Sequence, residues 1–294
     1  MPWRVVYGGV LCFVLCGAGG AFGASIKVAP AEFTVHNVEP GRTYDIFEET
    51  GLRLTVFNDE SVARTWSLYV SQPSERGARQ AGYDAIPDPS WCQFHGDSVT
   101  VPAGGKAYAE LTLTVPNEER YYNQHWLVAL TVGGKPEGGG IGLEVDVRMQ
   151  VETKSHPDVA ATPAGSLGVK PSIVAFDQVR PGEGRTGQAI LYNNTPEERT
   201  YILRPLLGDE SLEPERYITF PYRAMPTDGW VSWPREMVVA PGATAVVPVQ
   251  VQLPDNQSVQ GQRWESIVSV TPDEGEMRFF RVQVNCPKHS KKKE

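Results

Sequence analysis

The chain has 294 residues, 35 of them acidic and 27 basic, for a formal net charge of -8. That surplus of acid sets the body of the protein against a polyphosphate partner, so nucleic acid is not expected. With 29 Gly, 24 Pro and 40% apolar residues, the composition suits short strands joined by tight turns, and the length is too great for one small β domain and comfortable for two.

The first residues, "MPWR", carry one positive charge and lead into "VVYGGVLCFVLCGAGGAFGA", an apolar run that ends in small residues. This reads as a secretory signal peptide over 1–24, with cleavage after Gly23 or Ala24. Cys12 and Cys16 each follow leucine, not the small residue that a lipid-modified cysteine needs. The glycines of the run weaken it as a spanning helix, and no later stretch is apolar enough to span a bilayer. The mature chain is therefore expected in the periplasm, at the cell surface or outside the cell.

Past the leader the sequence repeats itself. "YDAIPDPSW", ending at Trp91, is answered by "YRAMPTDGW", ending at Trp230. "VEPGR" from Val38 pairs with "VRPGE" from Val179, and "VFNDESVARTW" from Val56 with "LYNNTPEERTY" from Leu191. "TVPNEERYYNQHW", ending at Trp126, pairs with "QLPDNQSVQGQRW", ending at Trp264. An offset that drifts only between about 135 and 141 residues across all these anchors marks a duplicated domain. The copies run over 25–153 and 169–287. Between them 154–168, rich in Pro, Ala and Gly, reads as a partly extended linker, and the basic tail 288–294, "KHSKKKE", reads as a solvated end.

Within each copy the apolar period is two. "AYAELTLTV" sets Ala107, Ala109, Leu111, Leu113 and Val115 on one face, and "IGLEVDVRMQV" does the same with Ile141, Leu143, Val145, Val147, Met149 and Val151. Such strands are expected to lie half-buried, one face in the core and one in water. About seven alternating runs per copy, broken by Pro-Gly, Asn-Asp and Gly-Gly turns, predict an all-β chain of two tandem immunoglobulin-like β-sandwich domains.

The order of features in each copy is a strand, Pro-Gly, a strand ending in Asn, a later Trp, "VPAGG" or "APGAT", an alternating strand and a closing hairpin. It resembles exported bacterial immunoglobulin-like domains of the pilus-chaperone and major-sperm-protein-like group. "VPNEERYYNQHWLVALTV", with its Gly-rich turn and long following strand, is similar to the end of a pilus chaperone's first domain. The resemblance implies the fold, and as an alternative to a general binding or scaffold role it implies a chaperone-like protein that holds a partner strand against the Ile141 to Val151 edge.

No catalytic set emerges, and no enzyme activity, cofactor or metal is expected. The five histidines are scattered without a second ligand at metal spacing. "GGKPEGGG", from Gly133, lacks the Lys-Ser or Lys-Thr ending of a phosphate loop and reads as a hairpin tip. Trp126 and Trp264 fall in the inward phase of their strands, while Trp91 and Trp230 are expected to plug one end of each sandwich. Two cysteines outlast the leader, Cys92 and Cys286, a candidate disulfide in an oxidising compartment. Phe279 takes the outward phase of "MRFFRVQV" and is the candidate apolar anchor for a partner, with the Tyr83 and Tyr222 loops as the other candidates. The expected partner is another exported protein or a cell-surface component.

Overall fold

Alternating apolar residues and left-handed turn glycines produce strands nearly throughout. The computed structural model describes residues 26–288 except 78, 135–141, 207–216, 227–228 and 274. The leader, most of the Gly-rich tip and the tail from 289 on lie outside the described residues. Two units are present. The first comprises the chain up to Asn117 together with His125–Glu152, and the second comprises Glu118–Gln124 and Thr153 onward.

In the first unit the strands are β1 (Lys27–Ala29), β2 (Glu32–Val38), β3 (Thr43–Asp45), β4 (Leu54–Phe57), β5 (Arg64–Ser71), β6 (Asp84–Ala85), β7 (Cys92–Phe94) and β8 (Ser98–Val101). They continue with β9 (Lys106–Ala109), β10 (Leu111–Thr114), β11 (His125–Gly134) and β12 (Leu143–Thr153), and one short helix, α1 (Ile46–Thr50), sits between β3 and β4. One layer has the order β2-β12-β11-β5-β8, with β6 lying parallel to β11. The other comes in two pieces, β1-β4-β9 and β3-β10-β7. Leu54, Val56, Leu111, Leu113, Val128, Leu130 and Met149 are buried in the core.

The second unit has β13 (Leu167–Lys170), β14 (Ile173–Phe176), β15 (Gly184–Asn193), β16 (Arg199–Pro205), β17 (Arg223–Ala224), β18 (Val231–Ser232), β19 (Glu236–Val239), β20 (Thr244–Gln252), β21 (Arg263–Pro272) and β22 (Arg278–Asn285). Its layers are β13-β15-β20-β18 and β14-β22-β21-β16-β19, with β17 parallel to β21. The continuous β15 and β20 correspond to β3 with β4 and to β9 with β10, so α1 is what divides the first unit's smaller layer.

The duplication extends to individual hydrogen bonds. Asn58, fully buried, donates its amide to the carbonyls of Val62, Val101 and Pro102 at 2.8, 3.2 and 3.1 Å. Asn193 does the same to Glu197, Val239 and Ala240 at 2.7, 2.9 and 3.2 Å. The strand-ending Asn of each copy is thus a clamp that satisfies carbonyls at the end of a neighbouring strand, β8 or β19, and in the adjoining loops. The Pro-Gly turns need glycine at Gly41 and Gly182, where φ is +88 and +75 and a side chain would strain the backbone.

Two expectations are corrected. The stretch 154–168 is not an extended linker, because it packs on the second unit. Val159 is buried, its carbonyl accepts from Lys170 Nζ at 2.8 Å, and Asn194 donates to the carbonyls of Pro163 and Gly165. The outer face of β11 is not in water either: Leu127, Ala129 and Thr131 on that face are as buried as Val128 and Leu130 on the core face.

Candidate functional site

The repeated Tyr-x-Ala-apolar-Pro-x-x-x-Trp stretch is a seam that stitches a long loop to the sheet. In the first unit β6 runs parallel to β11, with Asp84 beside Trp126 and Ala85 beside Leu127. The Ile86 N–H donates to the Leu127 carbonyl at 3.0 Å, and Ile86 is fully buried. In the second unit β17 lies beside Trp264 and Glu265, and Met225 N–H donates to the Glu265 carbonyl at 2.7 Å. Each seam ends in an edge-to-face indole pair, Trp91 on Trp126 at 5.5 Å and Trp230 on Trp264 at 5.0 Å, a geometry that aromatic quadrupoles favour.

Each seam begins with its tyrosine. Tyr83 donates to Glu152 Oε1 at 2.6 Å, and Glu152 also pairs with His36 Nδ1 at 3.2 Å. Tyr222 meets Asn285 at the equivalent position but with the direction reversed, its hydroxyl oxygen accepting from the Asn285 amide; burial, more than that bond, sets its hydroxyl pKa, and raises it. Both tyrosines are half-buried with their hydroxyls engaged, so their first role is to tie the loop to the last strand.

Phe279 does lie on the outward face, as its phase predicts, yet it is only 3% exposed. That face is a buried polar layer. Arg281 pairs with Glu265 at 2.9 Å, and both are buried. Glu265 also accepts from Gln283 and from the Thr219 N–H at 2.7 Å each, while Arg281 donates to the Tyr217 carbonyl at 2.8 Å. The Arg281 guanidinium lies 5.6 Å from the Phe279 ring. Phe279 therefore belongs to the interior and is withdrawn as a surface anchor. The candidate disulfide is corrected as well: Cys92 and Cys286 are free thiols, each buried. Burial pushes both thiols up, Cys92 the further.

What the structure leaves open to a partner is the first half of β12. The Arg148 N–H donates to the Ala31 carbonyl at 3.0 Å, and from there β2 follows β12 with Glu32 paired to Arg148, Thr34 hydrogen-bonded to Gln150 and His36 facing Glu152. Among the described residues no strand lies beside the outer edge of Leu143–Val147. Because strand amides alternate in direction, Glu144 and Asp146 present their N–H and C=O on the same side as Arg148 and so at this empty edge. Leu143 and Val145 are half-buried there.

The face beside this edge is held rigid. Arg76, carried by a 3-10 turn at Pro73–Arg76, donates to Glu144 at 2.5 Å and to both oxygens of Asp146 at 3.2 and 3.1 Å. Thr131 donates to Asp146 at 2.7 Å. A hydrogen bond from Tyr69, with that from Arg76, holds the Glu144 carboxyl below its usual range. Gly133 sits opposite Glu144, where a Cβ would come within 2.5 Å of the Glu144 side chain and 2.8 Å of the Leu143 carbonyl. Only glycine allows this close pairing, so Gly133 belongs to the strand and not to a loose tip.

Among the described residues no group of His, Cys, Asp and Glu could hold a metal, and no helix is long and apolar enough to cross a membrane.

No family model matches the chain, and no curated protein matches it. Among solved structures it is similar to a protein of unknown function from Porphyromonas gingivalis W83, at 13% identity over 88% of this chain and 99% of that one, with a TM-score of 0.34. It is similar to the periplasmic chaperone SfaE, at 10% identity over 89% and 100%, TM-score 0.31. It is also similar to one chain of a structure of the Salmonella enterica SafA pilin in complex with the SafB chaperone, at 12% identity over 89% and 97%, TM-score 0.33. Pilus chaperones, the group the sequence resembles, are thus among its structural neighbours.

Proposed function

We propose that this chain is an exported, non-catalytic binding protein that holds an extended segment of another exported protein along the Leu143–Val147 edge of β12, a chaperone-like role. The observation that carries the reading is the unpaired edge itself. Two backbone N–H and two C=O groups face outward between half-buried apolar side chains, on a strand fixed from behind by Gly133 and Arg76. An added strand gains main-chain hydrogen bonds for affinity, and alternate side-chain positions give it selectivity. Natural proteins usually blunt such edges, and here β2 covers only the second half.

The test is affinity capture from the exported fraction of the source cells, followed by amide exchange on the recovered complex. The amides of Glu144 and Asp146 are expected to exchange fast in the free protein and to become protected in the complex. Glu144→Pro removes one outward donor while leaving the bonds to β11 in place, and is expected to weaken capture at least about tenfold with the fold intact. Undiminished capture by a folded Glu144→Pro protein, or equal exchange at both amides in the complex, would sink the edge reading.

A further inference from the structure

The second unit carries a cleft that the edge reading leaves unused. It opens where both layers end in short strands and the chain crosses between them, from β18 through Trp233 to β19. Residues Ile202 to Pro205 form one wall and Val231 to Glu236 the other, around a volume of about 610 Å³. That is within the range of small-molecule sites. Its base is apolar, with Leu203 and Val231 buried and the half-buried Trp233 ring packed against the core.

Two features decide what fits. The first is Pro205, at the end of β16, which has no N–H to offer, while Leu203 N–H is already spent on the Arg235 carbonyl at 2.9 Å. An added strand would find almost no main-chain partners here, so the guest is compact. The second is charge. Arg204 and Arg235 are exposed at the rim, and among the described residues neither guanidinium forms an ion pair or a side-chain hydrogen bond, in a chain with eight more acids than bases, 35 against 27. Two uncommitted guanidinium groups beside an indole suit a carboxylate on a ring, since guanidinium matches carboxylate geometry in a two-pronged bond. Ser232 and Glu236, both exposed on the same wall, add a hydroxyl and a carboxylate, which suit sugar hydroxyls and would repel a guest that is anionic all round.

We infer that this cleft binds an acidic sugar of the uronic type. Its carboxylate lies between Arg204 and Arg235, its C–H face lies on Trp233, and its hydroxyls meet Ser232 and Glu236. The chemistry is the same for a free sugar and for a residue within a polymer.

Ligand-observed saturation-transfer NMR on the full chain tests this with glucuronate, a glucuronate oligomer and glucose. Glucuronate, the oligomer or both are expected to bind, with glucose at least about tenfold weaker; binding of the oligomer alone would assign the site to a polymer. Arg204→Gln and Arg235→Gln should each reduce glucuronate or oligomer binding about tenfold at an unchanged melting temperature, since both side chains are exposed. The inference is overturned if neither acid gives a signal at ~10 mM, if glucose binds as well as the acids, or if the two arginine variants bind as tightly as the parent.

Discussion

The two units share a backbone plan and differ in the layer outside the β11–β12 and β21–β22 pairs. The difference traces to one position. Where the second unit has Glu265, fully buried, the first has Leu127. A buried carboxylate must be met by donors, and Arg281, Gln283 and the Thr219 N–H supply them. In the first unit Leu127 makes no such demand, so the matching Arg148 and Gln150 turn to Glu32 and Thr34 on β2. One unit spends its polar groups within the face, and the other spends them on fastening β2 to β12. The edge strand begins at the same place in both, since the Arg281 N–H donates to the Ser172 carbonyl as the Arg148 N–H does to that of Ala31, but β12 runs five residues ahead of that point, from Leu143, and β22 only three, from Arg278.

The sharpest way to break this comparison is to remove the equivalent arginines one at a time. Arg281→Met leaves Glu265 buried without its cation, and a loss of about 3–5 kcal/mol is expected. Arg148→Met removes a partly exposed pair, and a loss of about 0–1 kcal/mol is expected. Urea melts that show equal losses would mean that the two layers are not the different structures described above.

The Asn clamps test the shared half of the plan. Asn58→Ala and Asn193→Ala each orphan three carbonyls, and a loss of about 3 kcal/mol is expected in either unit. A large inequality between them would show that the repeated bonds carry different weight.

Asn123 and Gly261 hold the same place before β11 and β21, with φ of 59 and 68. Gly261 uses only its backbone freedom, whereas Asn123 donates to the His156 carbonyl at 2.9 Å and accepts from the N–H groups of His156 and Ser172 at 2.9 and 3.0 Å. Asn123→Gly keeps the backbone conformation and deletes those bonds. An expected loss of about 2 kcal/mol in thermal melts would confirm that the side chain is what matters, and a neutral result would reduce it to a turn residue like its counterpart.

Much of this architecture is legible in the residues. The period of two places Trp126, Trp264 and both cores on the correct face, and the paired motifs mark two copies. The shift in offset between the Pro-Gly anchors and the strand-ending Asn anchors is the length of the α1 insertion. What escapes the period is cover. Phe279 sits on the face its phase assigns, but the segment that closes that face, Tyr217 to Thr219, is distant in sequence. A signal existed in "RWESIVSV", where one glutamate interrupts an apolar strand, opposite Gln283 and diagonal to Arg281. The open edge was half visible, since the long strand stood out, but the point at which β2 begins to cover it depends on where the chain changes layers after β1.

The smallest effect concerns the thiols. Cys92 stands where the second unit has Val231, and both are buried against the same kind of apolar floor, so Cys92→Val should change stability at neutral pH by less than about 1 kcal/mol. The two proteins should part company in alkali. Burial raises the Cys92 thiol well above its usual range, so the folded chain keeps that proton while the unfolded chain gives it up. Stability from this group is complete below the ordinary thiol range and declines as pH climbs from there toward the raised value, by at most roughly 1.4 kcal/mol per pH unit. Subtracting the stability profile of Cys92→Val from that of the parent isolates this slope from every other alkaline titration. A difference that stays flat through the thiol range would mean that Cys92 ionises within the folded unit, and a thiol reagent would then label it without unfolding.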